Sequence, residues 1–348
     1  MAPDPEVTSP ATRACNNPRR VVAAASGPVC CCQILTGYGL CMPVICLPDR
    51  QWIDLVGPVA GVEMVTWDLV GEPPRRDEIA FVVPPYMTSS PWQRLGLLPG
   101  LRVVQLLSAG YETVLPSIPA GVTLANAAGV HDASTAELAV TLTLSSLRGI
   151  PEFVTAQGRS QWLPAVVRDS LADKRVLILG YGGIGVAIAR RLSGFEVKLT
   201  AVASRARGGD ELVASVHGVE ELPVLLPEHD VVVVIVPLSK ATTGLVDRRF
   251  LASMPDGALL VNVSRGKVVD TDALVEAAGS GRIRAALDVT DPEPLPADHP
   301  LWQTPGVLIS PHVGGVTTAF TPRAIVLLRE QIAAFVGERP LRNVVNAP

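Results

Sequence analysis

Between Arg175 and Arg191 the chain passes from an unbroken apolar run, Val176-Leu177-Ile178-Leu179, into the turn Gly180-Tyr181-Gly182-Gly183-Ile184-Gly185 and then into helical spacing. A short apolar run bounded by glycine predicts a strand buried on both faces, not one that alternates between core and water. Similar runs predict strands at Glu196–Val202, Asp230–Val236, Ala258–Val263, Arg284–Asp288 and Val307–Ser310. Helices are expected between them, over Val219–Leu226, Arg248–Ser253 and Thr271–Ala278. Strand and helix in alternation give a doubly wound, mostly parallel sheet. Upstream, shorter strands at Val44–Leu47, Val62–Trp67, Ile79–Val83, Val103–Leu107 and Val122–Leu124, punctuated by prolines, predict a smaller α/β unit. Asp132 ahead of apolar residues at helical spacing predicts a capped, largely buried helix, Ala133 to about Arg148, crossing between the two units. Residues 151–172 read as a polar connection carrying Trp162 and Pro164, and a last amphipathic helix is expected over about Thr321–Phe335.

Composition narrows the function classes. A chain of 348 residues, 48% apolar, suits two domains with sizeable cores. A net charge of -4 without any basic block argues against nucleic acid as a partner. No apolar run reaches membrane-spanning length, so no membrane partner is expected. Cys15, Cys30, Cys31, Cys32 and Cys41 precede Met42 and only Cys46 follows it. That spacing fits neither a zinc site nor a secreted disulfide framework, so a reduced, cytoplasmic protein without a metal is expected. Residues 1–41 show no periodicity. Arg19-Arg20 before an apolar stretch makes a poor signal peptide; the blander expectation is a disordered extension, with Met42 as the working start.

The glycine turn is the first chemical signal. Gly180 allows a tight turn, Gly182 lets backbone approach a pyrophosphate, and Gly185 lets helix and strand pack closely. Gly183 and Ile184 open the helix, whose free amides and dipole favour phosphate. Alone the motif is weak, but here it lies between a buried strand and a helix. An acidic residue usually ends the next strand when NAD is preferred. This chain offers Ser204, Arg205 and Arg207 instead, a set suited to a 2′-phosphate, so NADP is favoured over NAD. An ordinary solvated arginine loop is the alternative.

Polar residues follow the carboxyl ends of the late strands, where such sheets bind ligands. They are Asn262-Val-Ser-Arg265-Gly266, Asp288-Val-Thr-Asp-Pro-Glu293-Pro294 and Ser310-Pro-His312-Val-Gly-Gly315. Singly, Arg265 could pair with a surface carboxylate, Glu293 could be a solvated acid and His312 a turn histidine. Together, beside a dinucleotide site, they suggest a catalytic set. Ser108-Ala109-Gly110, just past an earlier strand, leaves small amides able to take an anion, or is a simple turn. His131 reads as structural. Trp92, Tyr111 and Trp302 are candidates for a substrate pocket by position alone.

With LGYGGIG, VNVSRGKVVDTDAL, ALDVTDPEPLP followed by HPLW, and SPHVGG, the chain from Met42 to Asn346 resembles the D-isomer-specific 2-hydroxyacid dehydrogenase family, in particular its glyoxylate and hydroxypyruvate reductases. The resemblance implies an α/β fold of two Rossmann-like domains, the dinucleotide-binding domain (143–316) inserted into a smaller flavodoxin-like substrate domain (42–142, returning at 317–348). It implies Arg265, Glu293 and His312 as the catalytic arginine, glutamate and histidine. Ala109 and Gly110 become backbone contacts to a substrate carboxylate. Val236, Pro237, Thr242, Val263 and Gly314 join the cofactor contacts, with Asp288 on the nicotinamide side. A homodimer built on the nucleotide domain and the helix near 133–148 is also implied. Two alternatives keep the fold: oxidation of another small anion such as phosphite, and a non-catalytic nucleotide-sensing scaffold like the C-terminal binding protein corepressors.

Overall fold

The structure, a computed structural model, describes residues 42–88 and 90–346. The expected disorder of 1–41 lies outside the described residues. The first unit of the chain contains β1 (Val44–Leu47), α1 (Arg50–Val56), β2 (Glu63–Thr66), β3 (Ile79–Val82), β4 (Val103–Gln105) and β5 (Thr123–Ala125). These strands form one parallel sheet in the order β2-β1-β3-β4-β5, the order of flavodoxin-like sheets.

Next come α2 (Asp132–Arg148), α3 (Ile150–Gly158), β6 (Arg175–Leu179), α4 (Gly183–Leu192), β7 (Lys198–Ala203), β8 (Arg207–Gly208), β9 (Ser215–Gly218) and α5 (Leu222–Leu225). They are followed by β10 (Val231–Val234), α6 (Arg248–Ser253), β11 (Leu259–Asn262), α7 (Thr271–Gly279), β12 (Arg284–Leu287), β13 (Val307–Ile309) and α8 (Phe320–Val336). The second sheet runs β13-β12-β11-β10-β6-β7-β9-β8, parallel except for the β8–β9 pair.

The apolar runs are buried on both sides, as their pattern predicts. Side chains alternate across a strand, so Val176 and Ile178 of β6 join one core layer with Ala136 and Ala139 of α2. Leu177 and Leu179 join the opposite layer with Phe250 and Leu251 of α6 and Leu274 of α7. β10 divides in the same way, Val231 and Val233 against Val232 and Val234. Fully burying each such side chain contributes roughly 1.5–3 kcal/mol.

The last helix returns to the small sheet. Leu327, Leu328, Ile332 and Phe335 of α8 share a core with Ile45 and Phe81, and the Phe81 and Phe335 rings meet edge-on at 5.4 Å. Beneath them the buried Gln331 amide donates to Gln105 Oε1 at 2.6 Å, and Val344 bridges to Ala125 of β5.

Three features differ from the sequence expectation. Asp132 does not cap α2: it is the helix's first residue, His131 holds the N-cap position, and no side chain caps that end. Residues 151–172, read as a polar connection, open with α3; Gly149 turns the chain through a left-handed φ of 70°, and Pro151 sits in the first turn, where a missing N–H costs nothing. Residues 204–218 include a small antiparallel hairpin, β8–β9, which their polar sequence did not announce. Among the described residues no helix is long and apolar enough to cross a membrane.

Candidate active site

The glycine turn between β6 and α4 is shaped by close approach. Gly180 has φ 110°, and a side chain there would strike the Ile235 carbonyl oxygen; one on Gly185 would strike that of Gly180. Glycine is therefore required where strand, turn and helix cross. Gly182 and Gly183 are exposed at the mouth, with open space around the Gly182 Cα, and no side chain caps α4. The Asp132 carboxylate stands against Gly183, and on the open Gly182 side the uncapped amides of the helix start fit a pyrophosphate. Ile184 packs its side chain into the core below.

Of the polar set after β7, Arg207 reaches this turn. Its Nη2 donates to the Tyr181 carbonyl oxygen at 2.6 Å, and its guanidinium carbon stands 6.0 Å from the Tyr181 ring centroid. Ser204 and Arg205 are exposed on the same loop. Val236 and Pro237 follow β10, and Thr242 Oγ1 closes their turn by donating to the Pro237 carbonyl at 2.6 Å and accepting from Ser239 N–H.

The catalytic candidates lie along one rim. β11, β12 and β13 are adjacent, their register placing Asn262 beside Leu287 and Leu287 beside Ile309, so loops leaving these strands start about 4.8 Å apart. After β11, the buried Asn262 accepts from Ser264 N–H and Oγ and donates to the Arg265 carbonyl, while Val263 is buried. That turn projects Arg265, whose Nη1 is tied to the Ser264 carbonyl at 2.7 Å. After β12, Asp288 is 2% exposed. Its carboxylate accepts from Ser310 Oγ at 2.7 Å and from the Val313 and Gly314 amides at 2.9 Å each. After β13, His312 takes a left-handed φ of 54°, held by its own N–H on the Asp288 carbonyl at 2.8 Å. The His312 ring meets Glu293, with Nδ1 and Oε1 2.5 Å apart. Asp288, expected on the nicotinamide side, also shapes the histidine loop.

The small sheet supplies the opposite wall. Ser108 Oγ donates to the Gly110 carbonyl and Asn126 Nδ2 to that of Ala109, both at 2.7 Å. Among the described residues the N–H groups of Ala109 and Gly110 have no acceptor. A side chain on Gly110 would collide with Arg265 Nη2, so the arginine and the amide loop are brought together. Glu112 was not anticipated: Oε2 stands 3.7 Å from Arg265 Nη2 and accepts from Tyr111 N–H. A charged residue two places beyond an amide loop was the available signal. Trp92 and Tyr111 are half-buried, each with part of its ring packed against the small-sheet core. Trp302 is half exposed, its indole N–H on the Pro296 carbonyl.

His131 is 5% exposed and lies in a three-ring cluster, its centroid 5.5 Å from that of Tyr86 and 5.3 Å from that of Phe320, which are themselves 4.4 Å apart; its Nε2 is paired with the Leu107 carbonyl at 2.8 Å. Burial holds its pKa below the usual histidine range. Among the described residues no group of three or more His, Cys, Asp or Glu side chains is placed to hold a metal ion.

The family model "D-isomer specific 2-hydroxyacid dehydrogenase, NAD binding domain" matches residues 140–314. The chain is 36% identical over 251 residues to a glyoxylate reductase of Thermofilum pendens, covering 70% of this chain and 74% of that one. It is 37% identical over 224 residues to the human glyoxylate reductase/hydroxypyruvate reductase, covering 62% and 68%. Among solved structures, a D-isomer specific 2-hydroxyacid dehydrogenase from Xanthobacter autotrophicus Py2, in complex with NADPH and MES, superposes with a TM-score of 0.74 at 28% identity. That match spans 87% of this chain and 98% of the other.

Proposed function

The chain belongs to the D-isomer specific 2-hydroxyacid dehydrogenase family, and from that membership we propose that it is an NADP-preferring reductase of small 2-keto acids. The observation that carries this reading is the His312–Glu293 contact of 2.5 Å on the rim that also presents Arg265 to the Gly110 loop. The reading divides the chain into a substrate part (42–142 and 317–348) and a nucleotide part (143–316), joined through α2.

Reduction of a 2-keto acid needs a hydride at the carbonyl carbon and a proton on its oxygen. The nicotinamide supplies the hydride when bound. Arg265 grips the substrate carboxylate together with the Ala109 and Gly110 amides; its planar fork and permanent charge suit that task better than lysine. Glu293 holds His312 Nδ1, which fixes the ring and leaves Nε2 to give a proton to the carbonyl oxygen. Asp288 pins the loop that carries the histidine. Arg207 is the group for the 2′-phosphate, and the NADPH found with the Xanthobacter relative supports that choice.

A cytoplasmic homodimer completes the proposal. Phe153, Val154, Trp162, Val166 and Val167 are apolar yet exposed on α3 and the following arm, and Phe153, Trp162 and Val166 line a groove of about 710 Å³ there. Contiguous bare apolar area of this kind marks an interaction surface, and a second copy is the occupant proposed here.

The test is NADPH oxidation with glyoxylate, hydroxypyruvate, pyruvate and longer keto acids. Steady turnover on at least one is expected. Tight NADPH binding without turnover on any acid would overturn the reductase reading in favour of a sensing scaffold.

A further inference from the structure

Tyr181, the second residue of the glycine turn, is tied down at both ends. Its ring is 5% exposed and belongs to the core beneath α4. Its hydroxyl donates to the Asp210 carboxylate, 3.1 Å from each oxygen. Its carbonyl accepts from Arg207 Nη2 at 2.6 Å. Asp210 in turn organises the hairpin, accepting from Leu212 and Val213 N–H at 2.9 and 3.1 Å while its own N–H donates to the Val213 carbonyl. Arg207 lies on the other side of that hairpin, paired in register with Val216. Among the described residues it has no ion-pair partner, so its charge stands beside the glycine turn without a counter-ion.

We propose that Tyr181 and Asp210 are positioning residues for cofactor choice: their bond docks the 204–213 loop on the glycine turn and holds Arg207 where a ribose 2′-phosphate arrives. The argument rests on the cofactor reading above and goes one step further back in the chain of contacts. A hairpin with polar ends and two-residue strands has little intrinsic stability. An arginine on it, left untethered, would lose rotamer freedom on meeting a phosphate and bind it more weakly. The tether removes that cost before the ligand arrives. Burial, then the Asp210 hydrogen bond and charge, push the Tyr181 hydroxyl up to about 12, so it remains a donor at any physiological pH. NADH has no 2′-phosphate and gains nothing from Arg207, so the tether affects one cofactor and spares the other.

The experiment measures dissociation constants of NADPH and NADH by nucleotide fluorescence titration, without substrate, for wild type, Tyr181→Phe, Asp210→Ala and Arg207→Ala. Tyr181→Phe removes one hydrogen bond to a charged acceptor and keeps the ring, so NADPH is expected to weaken about 10-fold, with NADH changed less than about twofold. Asp210→Ala, on the exposed hairpin, is expected to shift the NADPH:NADH ratio in the same direction and decides the matter if the tyrosine variant does not fold. An unchanged ratio in both variants, with preference lost in Arg207→Ala, overturns the positioning role and leaves the cofactor reading standing. An unchanged ratio in Arg207→Ala overturns both.

Discussion

The loop around His312 and the arm from 150 to 168 are opposite kinds of surface. In the loop, Asp288 takes three donors, His312 N–H meets a carbonyl, and the imidazole meets Glu293. In the arm, Trp162 and Val167 are fully exposed, Val154 and Val166 more than half so, and Phe153 a little under half. A buried polar group is costly without a partner, and apolar area is costly against water. The loop has met its requirement within one chain, whereas the arm's apolar side chains are left uncovered by it. The candidate catalytic loop is therefore preorganised in a single chain, and the arm is where the proposed second copy would sit.

The sharpest test of the loop is His312→Ala, expected to lower kcat by about 100- to 10,000-fold, the range for loss of a general acid, with NADPH affinity retained. Steady-state turnover beside fluorescence titration separates the two. Arg265→Ala should cost about 100-fold or more in kcat/KM, most of it recovered by no lysine substitution, since lysine lacks the fork. Asp288→Asn removes the acceptor for one of three donors. Leaving it unsatisfied should cost about 1–3 kcal/mol in a denaturant melt and lower kcat through a misplaced His312. On the arm, Val166→Asp with Val167→Asp should convert a dimer to a folded monomer in sedimentation; a dimer that persists would contradict the role given to this surface.

A smaller effect concerns pH. His229 is 1% exposed, its nitrogens paired with the Leu225 carbonyl and Thr200 Oγ1, and burial depresses its pKa as it does that of His131. Below the ordinary value of 6.5 the unfolded chain binds protons that these folded-state rings refuse. Their stabilisation is therefore whole above that value and lost as pH falls through and beneath it. Melting temperatures at pH 7.5, 6.5 and 5.5 should decline in that order, and His229→Gln should flatten the decline.

Most of the nucleotide sheet was legible because each of its strands is a local apolar run, and the rule that ligands meet the carboxyl ends of strands pointed to Arg265, Glu293 and His312. α3 was missed because Pro151 and flanking polar residues mask a helix that one glycine turn starts. The β8–β9 hairpin was missed because two-residue strands carry no period. Glu112 was passed over because its nearest charged neighbour lies more than a hundred residues downstream.

What the linear chain contains is periodicity and residue chemistry: which segments are strands, where glycine must stand, and which side chains can carry charge or a proton. The folded molecule decided which of those groups meet. Asp288 became the anchor of the histidine loop, Tyr181 reached Asp210 across 29 positions, and Gln331 found Gln105 across 226. Such pairings depend on strand order and the direction of side chains in three dimensions. Local spacing is silent about both, because a hydrogen bond is set by the separation of atoms in space and not by their distance along the backbone.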